Sequence, residues 1–200
     1  MNDQEYINLL KREYFSYCKD KSVLEIGPFR GFHTEIIIAE NPRQIDVIEG
    51  HHIQIPYLKK QAIDNIILDD AQHYLRENKK QYDVVICFGV LYHLHDPLSM
   101  LEIIVNQCSP THVILDCVLD AANIEFEVED DNESGNRMLR PNWKSAGFKL
   151  VAPFDIINQS MHNMQYKLIK RNLLNVINNA GYGEFNKTNF WIGAWELNEV

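Results

Sequence analysis

The sequence predicts a doubly wound α/β domain: a seven-stranded sheet, mostly parallel, closed by a C-terminal antiparallel hairpin and covered by helices on both faces. Three observations predict it. Short, continuously apolar runs recur along the first 118 residues, segments of helical spacing separate them, and an apolar run closes the chain after a turn. Continuity of the apolar runs matters, because strands buried on both faces lose the in-out alternation of a one-sided sheet.

Tyr6, Leu9, Leu10, Tyr14 and Tyr17 share one face at helical spacing, which predicts a leading amphipathic helix over residues ~3–18. "SVLEIG" is the first strand and "FHTEIIIAE" the helix after it. "QIDVIEG" is the second strand, and "IQIPYLKKQA" reads as a helix entered near Pro56. "NIILDD" is the third strand, followed by "AQHYLRENK", a helix that Asp70 can cap. "YDVVICFGV" is the fourth strand. Asp96 as N-cap and Pro97 at the first helical position then open "HDPLSMLEIIVNQC", and "THVILDCVL" is the fifth strand. Residues 121–165 break the pattern and read as an inserted lid or hairpin, with the acidic run "EFEVEDDNESG" at its tip. "QYKLIKRNLLNVINNAGYGEF" reads as a helix stopped by Gly181, Thr188 to Phe190 as a turn, and "FWIGAWEL" as the closing strand. No repeat or low-complexity tract interrupts this order, and one domain is expected over residues 1–200.

With 46 % hydrophobic and 24 % charged residues, the chain has the composition of a globular protein able to bury its own core. No apolar run approaches membrane-spanning length, and the N-terminal residues mix acids and bases, unlike a secretory leader. Four cysteines without CxxC spacing are expected as reduced thiols in a cytoplasmic protein. A net charge of −9 argues against coating nucleic acid through a general field.

Ligands of open α/β sheets sit beyond the carboxyl ends of the strands, where the first strand turns into its helix. That turn here is "EIGPFRG", an acid followed by glycines at 27 and 31 with Pro28, Phe29 and Arg30 between them. A pyrophosphate wants bare amides at a helix N-terminus, whereas Glu25 repels phosphate and suits a cationic, hydroxyl-rich ligand. S-adenosylmethionine fits, with its sulfonium, ammonium and ribose diol. Glu49 and Gly50 close the second strand, where a carboxylate can take both ribose hydroxyls. Asp69, Asp70 and Ala71 close the third, for the adenine amino group and a ring nitrogen; Phe88 and Gly89 close the fourth, beside the methionine arm. The candidate cofactor residues are therefore Glu25, Gly27, Pro28, Phe29, Gly31, Glu49, Gly50, Asp69, Asp70, Ala71, Phe88 and Gly89.

These residues resemble the class I S-adenosylmethionine-dependent methyltransferases, whose sheet is Rossmann-like. "VLEIGPFRGFHT" is similar to the first motif of that family, "IDVIEG" to its second-strand acid and "LDDAQHYL" to its adenine segment, over residues ~20–118. "GFHT" and "GVLYHLHDPLSML" resemble more narrowly the family that transfers a carboxymethyl group from carboxy-S-adenosylmethionine to wobble uridine in tRNA. The resemblance implies methyl transfer with S-adenosylmethionine as cofactor.

"LYHLHDP" follows the fourth strand, where an acceptor would approach. His93 is the base candidate, as a side chain that titrates near neutrality, and Tyr92 a pocket-lining candidate. His95 is expected to face solvent, and Asp116 can meet a substrate or serve as a turn acid. No histidine pair stands at metal-ligand spacing, so no metal is expected. Arg137, Arg140, Lys144, Lys149, Lys167, Lys170 and Arg171, interleaved with Trp143, Phe148 and Tyr166, form either a solvated face or a basic rim for an anionic acceptor. The leading expectation is a methyltransferase acting on a small-molecule acceptor, with no membrane contact. The alternatives are a tRNA wobble-uridine methyl- or carboxymethyltransferase and a non-catalytic cofactor-binding module that assists a partner.

Overall fold

The computed structural model describes residues 1–94, 96–118, 154–176 and 188–198, and among them seven strands form one sheet. They are β1 Ser22–Ile26, β2 Gln44–Glu49, β3 Asn65–Leu68, β4 Val84–Cys87, β5 His112–Val118, β6 Tyr166–Val176 and β7 Thr188–Leu197. The order across the sheet is β3-β2-β1-β4-β5-β7-β6. β1 to β5 pair in parallel, while β7 runs antiparallel to both β5 and β6. The chain leaves β1 toward β2 on one side and returns to β4 on the other, so the strand order reverses at the β1/β4 boundary, where crevices open in such sheets.

The helices are α1 Asp3–Glu13, α2 Phe32–Ile38, α3 Ile55–Leu58, α4 Ala71–Glu77, α5 Pro97–Cys108 and α6 Phe154–Asn163. Successive strand residues serve opposite faces. Leu24 and Ile26 join Val85, Cys87, Leu115, Trp191 and Trp195 under α4, α5 and α6. Val23, Val47, Val84 and Ile86 pack with Tyr6, Leu10, Tyr14 and Phe15 on the other face, under α1 and α2. Glu25 shares that second face by alternation. An acid therefore lies in an otherwise apolar layer, at the end that meets the crevice.

Local chemistry explains several boundaries. Asn2 and Glu5 form a reciprocal capping box at the start of α1. Asp96 caps α5 through the Ser99 amide with Pro97 at the first position, as the sequence predicts, and Asp70 caps α4 through the His73 amide. At the opposite end of the sheet from the crevice, the buried Asp46 accepts hydrogen bonds from Tyr82, Asn65, Gln44 and Lys80 and is held below the usual carboxylate range by them. A fully satisfied buried acid of this kind is structural.

The structure departs from the sequence expectations in five places. The segment read as a helix from residue 165 onward is strand β6 as far as Val176, paired residue by residue with β7; Gly181 lies outside the described residues. The spacing of Leu168, Ile169, Leu173 and Leu174 satisfies a helix, but β6 is the sheet margin, where Leu168 and Leu173 are 37 % and 62 % exposed and no alternation is legible. Thr188 to Phe190, expected as a turn, belong to β7. Within the expected insert of 121–165, residues 154–163 are helix α6, whose Phe154, Ile157 and Met161 bury against the sheet; residues 121–153 lie outside the description. The leading helix ends at Glu13 and passes into a 3-10 turn, Phe15–Cys18, which turns Phe15 into the core. Around Pro56 only a 3-10 turn and the single turn of α3 form, because just Gln54 and Leu58 find buried sites.

Candidate active site

The ends of β1, β2, β3 and β4, neighbours in the sheet, bring the predicted cofactor residues to one end of it. Glu25 is 1 % exposed, and the Thr34 hydroxyl of α2 donates to its Oε2 at 2.6 Å. Burial pushes the carboxyl up to about 7; the Thr34 bond opposes this and the charge of Glu49 adds to it. Two acids that sense one another inside the protein are relieved together by a cation placed between them.

Glu49 is itself anchored by backbone. Its Oε2 accepts the Phe29 amide at 2.9 Å and its Oε1 the His51 amide at 2.8 Å, which oppose the rise that burial gives its pKa. The Gly50 amide meets the same carboxylate, which still keeps acceptor capacity for a hydroxyl donor. The bond to Phe29 also holds that residue at φ 53, a left-handed backbone that non-glycine residues rarely adopt. Its ring is 38 % exposed and lies under the Arg30 guanidinium, which also faces the Tyr57 ring. Phe29 thus meets the crevice through its amide, while its ring is turned outward. Pro28 is buried, and Gly50, beyond the tip of β2, is exposed.

Both glycines of the turn take a left-handed backbone, and each has a close neighbour. Gly27 sits at φ 72, and a side chain there would stand 2.3 Å from Val90 Cγ2, in the segment that follows β4. Gly31, at φ 84, would meet the Gln61 carboxamide at 2.1 Å. The Gln61 Nε2 donates to the Gly31 carbonyl at 3.0 Å and closes the back of the turn.

At the tip of β3, the Asp69 amide donates to the Glu49 carbonyl at 3.2 Å, which ties the two strand ends together. Asp69 pairs with His73, raising the imidazole pKa, and Asp70 spends one oxygen on the α4 cap. Ala71 opens α4, so its amide has no partner within the helix. At the tip of β4, Phe88 is buried against Phe15 and His33. Gly89, at φ 71, donates its amide to Asp116 Oδ1 at 2.6 Å, and burial pushes the Asp116 carboxyl up to about 7.

The sequence reading missed a cluster behind this wall. The partly buried His33 ring is enclosed by Tyr6, Phe15, Phe32 and Phe88, with its Nε2 3.1 Å from the Tyr6 hydroxyl, and desolvation pushes its pKa down to about 4. The leading helix therefore backs the tip of β4 through Tyr6 and His33. Its only sequence signal was the aromatic face of α1. Thr34 was likewise missed, although a hydroxyl in the first turn of α2 is well placed to reach back to β1.

Of the acceptor-side candidates, His93 ends a 3-10 turn, Leu91–His93, and is half-buried; its amide donates to the Val90 carbonyl at 2.8 Å. Tyr92 lies in the same turn with its side chain outside the description, as is all of His95. Arg137, Arg140, Trp143, Lys144, Phe148 and Lys149 also lie outside the described residues. Lys167 pairs with Glu196, Lys170 with Glu13, and Arg171 covers the Phe154 ring, so this part of the expected basic rim is engaged within the fold. Among the described residues no helix is long and apolar enough to cross a membrane.

A family model described as a methyltransferase domain matches residues 3–170. The chain belongs to this methyltransferase family. Over 108 residues the chain is 29 % identical to the tRNA U34 carboxymethyltransferase of Nautilia profundicola, a match covering 50 % of this chain and 35 % of that one. To the tRNA U34 carboxymethyltransferase of Pseudoalteromonas atlantica it is 24 % identical over 167 residues, covering 74 % and 50 %. It spans half or less of the length of these curated relatives. The N-methyltransferase NodS of Bradyrhizobium japonicum WM9, in complex with S-adenosyl-L-homocysteine, matches it with a TM-score of 0.66 at 15 % identity, covering 98 % of this chain and 88 % of NodS. The magnesium protoporphyrin IX methyltransferase of Synechocystis PCC 6803, with the same ligand bound, matches with a TM-score of 0.60 at 11 % identity, covering 98 % and 81 %. The class I resemblance, the Rossmann-like seven-stranded sheet and the local likeness to the wobble-uridine family are all borne out.

Proposed function

We propose that the chain is an S-adenosylmethionine-dependent methyltransferase of the cytoplasm that uses the plain cofactor and methylates a small-molecule acceptor. One observation carries this reading: Glu25, Glu49 and Asp70 stand at three adjacent strand tips, with Glu49 locked by the amides of Phe29 and His51. Glu25 faces the ammonium with Oε1, which accepts no hydrogen bond from the described residues. Glu49 takes the ribose hydroxyls beside Gly50, and Asp70 and the Ala71 amide take the adenine edge, with Asp69 holding the two strand tips together. Gly27, Pro28 and Gly31 shape the turn beneath the methionine arm, which runs past Phe88 and Gly89. When bound, the cofactor supplies an electrophilic methyl carbon on a sulfonium. The protein orients the acceptor in line with it and excludes water. His93 takes up the acceptor's proton and Tyr92 lines the acceptor pocket.

The curated relatives favour a second reading, modification of wobble uridine in tRNA. Incubation with methyl-labelled S-adenosylmethionine, total tRNA and a metabolite extract separates the two. Label in the metabolite fraction is expected, and label in tRNA would replace the first reading with the second. If neither fraction is labelled while S-adenosylhomocysteine still binds in calorimetry, the assay is repeated with carboxy-S-adenosylmethionine. Label in tRNA then makes the chain a carboxymethyltransferase, and none makes it a non-catalytic cofactor-binding module.

A further inference from the structure

The segment after β4 carries both acceptor-side candidates, and β4 itself ends at Cys87. Gly89 therefore has no ladder partner, and without a side chain its backbone is its only means of attachment. The structure provides one attachment, the 2.6 Å hydrogen bond from the Gly89 amide to Asp116 Oδ1. That carboxyl is placed by β5, whose pairing with β7 sets Asp116 opposite Ile192. Among the described residues, the Gly89 amide is the one hydrogen-bond donor Asp116 meets. A partly buried acid near the end of a core strand that meets a single donor is expected to be kept there for what that bond holds.

Two further contacts complete the hold. Val90 fills the space over Gly27, where any side chain would collide with it. Leu91 is fully buried under α5, and the turn closes through the His93 amide on the Val90 carbonyl. The segment is thus fixed from β5 by Asp116, from β1 by Gly27 and from the core by Leu91.

We propose that Asp116 is a positioning residue for methyl transfer: through the Gly89 amide it sets the turn that presents Tyr92 and His93 to the acceptor and Phe88–Gly89 to the cofactor. This deepens the function proposed above and rests on its placing of the methionine arm along Phe88 and Gly89. Asp116 need not touch the acceptor to act. A shift of the turn by a fraction of a bond length moves the acceptor out of line with the sulfonium.

Asp116→Asn keeps an oxygen for the Gly89 amide, while Asp116→Ala removes it. The comparison reads Gly89 amide exchange by NMR and S-adenosylhomocysteine affinity by calorimetry, in the full chain. Asp116→Ala is expected to speed Gly89 exchange about tenfold and to weaken binding about fivefold. Asp116→Asn is expected to restore both to near the wild-type values. Unchanged Gly89 exchange in Asp116→Ala, or an Asn variant no better than Ala, overturns the proposal. Should the Ala variant fail to fold, the wild-type Gly89 amide proton still decides: it must titrate with one carboxyl and lose that titration in Asp116→Asn, and a flat wild-type profile overturns the proposal. A wild-type chain that binds no S-adenosylhomocysteine removes the cofactor reading and leaves Gly89 exchange to judge Asp116.

Discussion

The Phe29 amide donates to Glu49 Oε2 at 2.9 Å, so the turn after β1 is held in place by the tip of β2. Two segments 20 residues apart share one hydrogen bond, made by the carboxylate proposed above to take the ribose hydroxyls.

Glu49→Ala removes the acceptor for two amides at once. It is expected to weaken S-adenosylhomocysteine binding by about 1–3 kcal/mol, through unpaired ribose hydroxyls and a released turn. Calorimetry that finds the affinity unchanged removes Glu49 from the site.

Gly27→Ala places a methyl group against Val90 at a left-handed backbone, with an expected loss of about 1–3 kcal/mol in urea unfolding. Val90→Ala opens the same space. The double variant should lose clearly less than the sum of the two single losses, because the collision is gone and only the backbone strain remains. Additive losses would mean that Val90 does not hold the turn through Gly27.

Glu25 fixes a pH dependence. Its ordinary pKa of 4.5 is raised to about 7 in the folded chain. Within that window the unfolded chain has released this proton and the folded chain retains it, so stability falls as pH rises and stays lower above about 7. Glu25→Gln removes this contribution, and the variant should exceed the wild type by about 2–3 kcal/mol at alkaline pH. Below pH 4.5 the two should be nearly equal. Equal unfolding midpoints at alkaline pH would show that Glu25 ionises normally.

His33 has the opposite setting. Desolvation lowers its pKa from 6.5 to about 4, so the folded chain leaves it neutral where the unfolded chain would protonate it. Stability is therefore lost as pH falls through that window. Imidazole NMR signals are expected to stay in their neutral pattern at pH 5, and a titration near 6.5 would show the ring open to water.

The parts of this site legible in the sequence are those that parallel-strand packing forces into view. A strand buried on both faces must be apolar along its length, so an acid near its end stands out, as Glu25 and Glu49 did in β1 and β2; Asp70, just past the marginal strand β3, was legible as the cap of α4. Asp96-Pro97 was legible because helix starts need a cap and tolerate proline. Backbone attachments were not, since the amides of Phe29, His51 and Gly89 look like any other amide in a sequence. Val90, which crowds Gly27, lies 63 positions further on, and only the fold brings it near; at Gly31 the left-handed backbone rather than a neighbour asks for glycine. β6 was misread because its pattern suits a helix, and its pairing with β7 decides otherwise.

The leading helix has one more consequence, for biosynthesis. Tyr14 donates its hydroxyl to Asn172 and to the Ile192 carbonyl, and Lys170 pairs with Glu13, so α1 rests in part on strands made 158 and 178 residues later in the chain. Until β6 and β7 emerge, α1 has its seat on β1, β2 and β4 but the Tyr14 hydroxyl and Glu13 have no partners there. Nascent chains halted before residue 188 should recruit chaperones that chains extended past residue 197 escape.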